Sequence, residues 1–319
     1  MSLLEILALI IPAAIYSASP LILTALGGVI SERAGVVNIG LEGLMLFGAF
    51  IGILTTLYTQ ATFGDASPWI GIVMGGIIGG LFALLHAVAS ISFRADQVVS
   101  GVAINFLAAG LSVFLIKKIY NKGQTDFIEN RIYKRDIPVL SDIPIIGDLF
   151  FSNIYITSYV AILLAFVVWY VIYKTPFGLR LRAVGEHPMA ADTMGIKVNQ
   201  MRYIAVMLSG VFAGLGGAVY ATSISGNFAG GTISGQGFMA LAAMIFGKWH
   251  PLGAMGAALF FGLAQSLSIT GESIPFLKEI PKIYLTIAPY VLTILALAGF
   301  VGRAEAPKAL GTPYEKGKR

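Results

Sequence analysis

Residues 31–48, SERAGVVNIGLEGLMLFG, decide how this chain is read. The stretch opens on a charged turn, Ser31-Glu32-Arg33, and passes through Ala34-Gly35. It then enters a helical pattern with Asn38, Gly40, Glu42 and Gly43 near its start. Long apolar runs lie on both sides, which makes this an interrupted segment at membrane depth. A bilayer core offers no water to free N–H and C=O groups. Irregular backbone is therefore tolerated there only where protein buries it or a cavity is lined by it.

The apolar pattern repeats along the chain. The 319 residues are 57% hydrophobic and 12% charged, with a mean hydropathy of +0.83. Soluble chains are about 25% charged, so this one lacks the charge to cover a water-facing surface. That excludes an ordinary soluble enzyme and a disordered chain. The 38 glycines follow no G-X-Y period, which excludes a collagen. Nine apolar segments stand out: 3–30, 36–58, 69–91, 98–116, 154–173, 203–222, 237–247, 252–269 and 283–300. Most reach the roughly 20 residues that a membrane-crossing helix needs. Segment 237–247 spans only about 16 Å as a helix, so it reads as a half-helix or re-entrant piece, with a count of eight as the alternative. Pro12 and Pro20 predict a kink in the first segment. The expected fold is all-α: a polytopic membrane protein of about nine transmembrane helices with one interrupted segment. A single transmembrane domain would cover residues 1–302, with a mobile basic tail at 303–319.

Charge sets the expected orientation. With the C-terminus inside, the inner connections hold Arg33, Arg94, Lys174, Arg180, Arg182, Lys197, Arg202 and Lys248, and the tail adds five more basic residues. Most outer Lys and Arg sit in one long loop, 117–153, as the positive-inside rule for short connections allows. The N-terminus is then outside. No Lys or Arg precedes Arg33, so no cleavable signal peptide is expected. The outer loop is mixed in charge but apolar around Pro138 and Pro144. It reads as a small ordered cap where a partner could dock, or as a solvated spacer.

The interior is nearly free of chemistry. Its ionisable groups are Glu5, Glu42 and His86. Ion-coupled transporters place carboxylates or histidine relays at mid-membrane. There is no cysteine, no HExxH spacing and no GxxxxGK[ST] loop, so no metal site, no catalytic group and no ATP site is expected. Glu42 is costly deep in a helix and should face protein or a water-filled path. Gly71, Gly75, Gly79 and Gly210, Gly214 follow small-xxx-small spacing and read as helix contacts. Asn38, Asn105, Gln236, Phe238 and Gln265 join Glu42 as candidate path-lining groups; helix-to-helix hydrogen bonding is the other reading of the polar ones.

A second unusual stretch is the inner connection 174–202, KTPFGLRLRAVGEHPMAADTMGIKVNQMR. Pro188 suits a first helical position and Gly195 the position past the end, with under two turns between. Together ERAGVVNIGLEG, TPFGLRLRAVGEHPMAADTMGI, LSGVFAGLGGAVYA and ALAAMIFGKWHPLGA resemble the permease subunits of bacterial ABC importers for simple sugars, branched-chain amino acids and nucleosides. The resemblance covers residues 21–302 in order. It is strongest to the nucleoside branch, and there to the second permease of guanosine importers.

The resemblance implies that connection 175–199 docks in a groove of an ABC ATPase subunit, with 188–194 as the coupling helix. Gly178, Arg180, Arg182, Gly185, Glu186, Pro188, Ala191, Asp192 and Gly195 would form this coupling element. It implies three protein partners: the ATPase, a second permease making a heterodimer, and a lipid-anchored substrate-binding lipoprotein. ATP and magnesium would be used by the ATPase, with no cofactor in this chain, and no nucleic acid is involved. The cargo would be a nucleoside, carried by alternating access across the cell membrane. A simple sugar is the runner-up cargo, and a stand-alone secondary transporter or channel is the runner-up class.

Overall fold

A computed structural model describes residues 2–274, 280–281, 283–285, 287–288, 291, 294 and 305–316. Ten α-helices carry the described chain: α1 Leu3–Arg33, α2 Leu41–Phe63, α3 Ser67–Ala87, α4 Gln97–Tyr120, α5 Ile156–Lys174, α6 Pro176–Glu186, α7 Pro188–Thr193, α8 Val198–Val219, α9 Gln236–Phe246 and α10 Pro251–Thr270. Short π-helical turns prolong α3 and α8. Six helical stretches are long and apolar enough to cross a membrane, and one of them, Leu41–Ser92, spans 52 residues. It folds back at Gly64–Ala66, so that α2 and α3 pack against each other. These six stretches cover seven of the nine expected segments, since Leu41–Ser92 takes in both 36–58 and 69–91. The expected segment 283–300 lies mainly outside the described residues.

We orient the bundle with the 174–202 connection at the bottom. Helix α1 begins with a reciprocal cap between Ser2 and Glu5. It continues unbroken through Pro12 and Pro20. Proline leaves the carbonyl four residues earlier without a donor. At Pro20 that carbonyl belongs to Tyr16, and the Ser19 hydroxyl donates to it at 3.0 Å.

The glycine ladders bring α2, α3 and α8 into backbone contact. A Cβ placed on Gly79 would lie 2.9 Å from the Gly214 Cα, and one on Gly75 would lie 2.8 Å from the Gly48 carbonyl oxygen. Without side chains at these points the three helices approach closely, as small residues in membrane bundles permit.

At the top, the 117–153 loop is ordered. Thr125 donates its backbone N–H to the Phe228 carbonyl at 2.9 Å, and Arg135 pairs with Ile154. Ile128 and Ile132 are buried. The Lys134 ammonium lies 4.1 Å from the centre of the Tyr16 ring, and burial pushes it below its ordinary pKa.

The chain end departs from expectation. Residues 305–316, expected to be mobile, pack against the bottom of the bundle. Ala309 and Tyr314 are buried, and Tyr314 joins the main apolar core.

Candidate functional site

The interrupted segment runs from Ala34 to Gly40, between the end of α1 and the start of α2. Its lower end is a tight turn. Gly35 has φ +84, a backbone region that disfavours side-chain-bearing residues, and the Ser31 hydroxyl donates to the Val36 carbonyl at 2.8 Å. Val37 donates its N–H to the Gln97 amide oxygen at 2.7 Å. Its carbonyl accepts from His86 Nε2 at 2.9 Å, while His86 Nδ1 pairs with the Ser100 hydroxyl. A carbonyl can only accept, so Nε2 carries the proton. His86 is thereby a fully hydrogen-bonded core group.

The upper end of the segment gathers the polar candidates. Asn38 is fully buried and donates its amide to the Ser209 hydroxyl at 2.9 Å. Asn105 sits about 12 Å up α4 from Gln97 at the usual helical rise. Its amide donates to the Ile39 carbonyl at 3.1 Å and accepts the Gly43 N–H at 2.7 Å. Gly40, the residue ahead of α2, supplies no side-chain cap, and the Asn105 oxygen does so from another helix. Glu42 faces the other way. Its two carboxylate oxygens accept the N–H groups of Gly235 and Gly237, each at 2.7 Å, at the start of α9. A carboxylate at a helix N-terminus is favoured by the helix dipole as well as by the bonds.

Gln236, between those two glycines, accepts from the Gln265 amide of α10 at 3.1 Å. Phe238 follows on α9 with its ring half exposed. Asn38, Glu42, Asn105 and Gln236 therefore meet at one junction of α2, α4, α8 and α9. Gln265 joins it through Gln236, and Phe238 stands at its edge. Helix α9, 11 residues long, matches the short 237–247 segment.

Connection 174–202 folds as two helices, α6 and α7. Thr175 caps α6, accepting the Gly178 N–H at 3.3 Å. Any side chain at Gly178 would strike the carbonyls of Val171 and Ile172. Gly185 is buried against the Arg33–Gly35 turn, and a Cβ there would collide with the Arg33 carbonyl. Arg180 is exposed, and the Arg182 guanidinium lies 4.8 Å from the centre of the Tyr173 ring. Pro188 opens α7, Ala191 is buried beneath it, and Asp192 is partly exposed. Gly195, with φ +81, closes it by donating to the Asp192 carbonyl at 2.9 Å. Glu186 accepts the Lys308 N–H at 3.4 Å. Leu179, Met189 and Met194 present apolar side chains outward, Met194 being 82% exposed.

Three groups at the bottom escape sequence reading. Glu32 is buried and accepts the Trp249 indole N–H at 2.6 Å. Arg33 donates to the Trp249 and Lys248 carbonyls and to the Tyr173 hydroxyl. Lys248 and Trp249 both have positive φ, so this clasp holds a strained α9–α10 turn. Next to it, burial and then the Arg33 charge keep His250 below its ordinary pKa. Arg202, on the first turns of α8, is 1% exposed and donates to the Thr312 carbonyl at 2.9 Å. The only advance signal was the charge of Glu32 and Arg33 beside the turn.

Residues 10–297 match the family described as branched-chain amino acid transport system / permease component. Among curated proteins, the chain is 62% identical over 319 residues to the guanosine ABC transporter permease protein NupQ of Bacillus subtilis, covering all of both chains. It is 51% identical to the nucleoside ABC transporter permease protein NupC of Lactococcus lactis, again covering all of both. It is 34% identical to a putative glucose ABC transporter permease protein, TsgC13, of Haloferax volcanii, over 95% of this chain and 96% of the relative.

Proposed function

The chain belongs to the branched-chain amino acid transport system / permease component family, and from that premise we propose that it is the membrane-spanning permease subunit of an ABC importer that takes up nucleosides. Guanosine and related purine nucleosides are the expected cargo. The observation that carries this is the 62% identity, over the full length of both chains, to a guanosine permease. Long apolar helices make the chain a multi-pass membrane protein.

The mechanism we infer is alternating access. A lipid-anchored binding protein delivers the nucleoside at the top. A separate ABC ATPase, using ATP and Mg²⁺ that this chain does not hold, docks on α6–α7 at the bottom. The outward Leu179, Met189 and Met194 offer that subunit apolar knobs. The contact of Gly185 with the Arg33–Gly35 turn supports a direct mechanical route from α6 to the interrupted segment. From there the chain climbs to Asn38 and Glu42; Asn105 of α4 holds the start of α2, and the Glu42 carboxylate borders α9. A neutral nucleoside needs a path with few charges and scattered hydrogen-bonding groups, and Gln236, Gln265 and Phe238 fit it. We place the bottom inside and the N-terminus outside, a reading that the basic residues of the bottom connections support. One set of these elements makes half a path, so a second, different permease completes it.

The glucose relative makes a simple sugar the cargo to exclude. The test is uptake of labelled guanosine with ribose as competitor, in cells carrying Glu186→Arg. Gly185→Arg is a second variant, although its bulk also threatens folding. Guanosine uptake is expected to fall about tenfold or more, the equivalent of some 1.4 kcal/mol, with the protein still in the membrane. Full inhibition of wild-type uptake by ribose would move the cargo to sugars. Undiminished uptake in Glu186→Arg would displace the docking site.

A further inference from the structure

Residues 305–316 touch every element that the proposed route uses at the bottom of the bundle. Ala309 donates its backbone N–H to the Gly185 carbonyl at 2.9 Å, and Gly311 donates to the Gly35 carbonyl at 3.3 Å. Two residues of one short segment thus staple the last turn of α6 to the turn that opens the interrupted segment. Lys308 N–H points to the Glu186 carboxylate, and Glu315 pairs with Arg94 at 3.1 Å, just below α4. Tyr314 lies in the same buried apolar cluster as Ala34, Leu181, Val184 and Ala191.

Arg202 is the pin of this arrangement. Its guanidinium is buried, and a Cβ on Gly35 would sit 3.0 Å from Nη2. Nη1 donates to the Thr312 carbonyl, while Nε and Nη2 make no hydrogen bond among the described residues. A buried cation with so few partners is costly, and removing one more partner leaves it uncompensated. The Thr312 carbonyl is the one acceptor that the described residues offer this cation, so losing it while Arg202 stays buried is destabilising. The segment and Arg202 are joined at that bond, and the guanidinium lies against Gly35.

We propose that residues 305–316 form a clamp, pinned by Arg202, that fastens α6–α7 to the Gly35 turn so that the two move as one body during transport. Arg202 is a positioning residue here: it touches no cargo and acts through the clamp. The inference rests on the transport reading above. It adds that coupling depends on a segment far along the chain from α7.

The test uses the whole importer, with its ATPase and partner permease, in proteoliposomes, and compares wild type with deletion of 305–319, Arg202→Met and Arg202→Lys. ATP hydrolysed per guanosine moved is expected to rise about fivefold or more in the deletion and in Arg202→Met. Arg202→Lys keeps the charge, and its ratio should stay within about twofold of wild type. An unchanged ratio in the deletion overturns the clamp. A proportional fall of hydrolysis and uptake does so too, because the segment would then only help the ATPase to bind. If the deletion fails to assemble, Arg94→Cys with Glu315→Cys decides, in a chain that has no other cysteine. Joined by a flexible bis-maleimide, this importer should keep its uptake. Loss of uptake on joining, absent in the single-cysteine variants, means that the segment must release and overturns the proposal. Hydrogen exchange on the permease alone separates this test from the cargo question. Residues 31–40 should exchange faster in the deletion whatever the importer carries, and equal exchange counts against the clamp.

Discussion

Two helices start in mid-bundle, α2 at Leu41 and α9 at Gln236, and the chain solves the same problem at each in a different way. Both starts expose N–H groups that have no partner within their own helix. At α2 a neutral amide answers: Asn105 accepts from Gly43 and also donates to Ile39, so it fixes the chain before and after the break. At α9 a charged carboxylate answers: Glu42 accepts twice and donates nothing. The two caps are in series, because Glu42 rides on the helix whose start Asn105 holds. Displacement of α2 is thus passed to α9 through a carboxylate, and to α4 through an amide. Hydrogen bonds to charged groups contribute about 1.5–3 kcal/mol each, against about 0.5–1.5 for neutral ones. The α2–α9 link should be the stiff one and the α2–α4 link the one that yields.

Glu42→Ala should break the stiff link, with the largest effect. It removes two charge-assisted bonds, on the order of 3–6 kcal/mol together, and leaves the start of α9 uncapped. The expected result is a steep loss of folded protein in detergent, read by thermal unfolding followed by size-exclusion chromatography. Glu42→Gln sharpens the point, since its NH₂ must face one of the two N–H donors. It should recover less than half of the lost stability. Full recovery would show that charge contributes nothing here.

Asn105→Ala comes next, at about 1–3 kcal/mol, for two neutral bonds. Asn105→Asp keeps the acceptor for Gly43 but sets an anion against the Ile39 carbonyl. It should be no more stable than the alanine variant, by the same thermal assay. If Asn105→Ala costs as much as Glu42→Ala, the distinction between a stiff and a yielding link fails.

The contrast also shows what the chain reveals before folding. The break itself was legible, because Gly35, Asn38, Gly40 and Glu42 cannot sit idle between two apolar runs. So were the glycine ladders, whose spacing of four survives into the packing of α2, α3 and α8. Glu42 and Asn105 were visible as polar intruders. Their partners were not, since Gly235 lies 193 residues from Glu42, and nothing local marks such a distance. The end of the chain misled for a physical reason. Its lysines, prolines and glycines read as a solvated tail, but Ala309 and Tyr314 carry enough apolar surface to dock once Arg202 and the backbone of Gly35 and Gly185 await them. The carbonyl that Pro20 frees finds its donor in the neighbouring Ser19 hydroxyl.

The smallest effect belongs to the bond that neither cap uses. Ser209→Ala deprives the buried Asn38 amide of its hydroxyl partner and should cost about 1 kcal/mol, the ordinary value of one neutral hydrogen bond. Asn38 sits below both caps, so its loss should leave α2 and α9 in register and guanosine uptake close to that of wild type. The Asn38 amide oxygen is already buried without a partner among the described residues, which means that this corner tolerates an unmet polar atom. A loss of stability in Ser209→Ala greater than that of Asn105→Ala would place the weak point of the interrupted segment at Asn38 rather than at the amide cap. The order charged cap, neutral cap, lone bond would then have to be redrawn from the bottom.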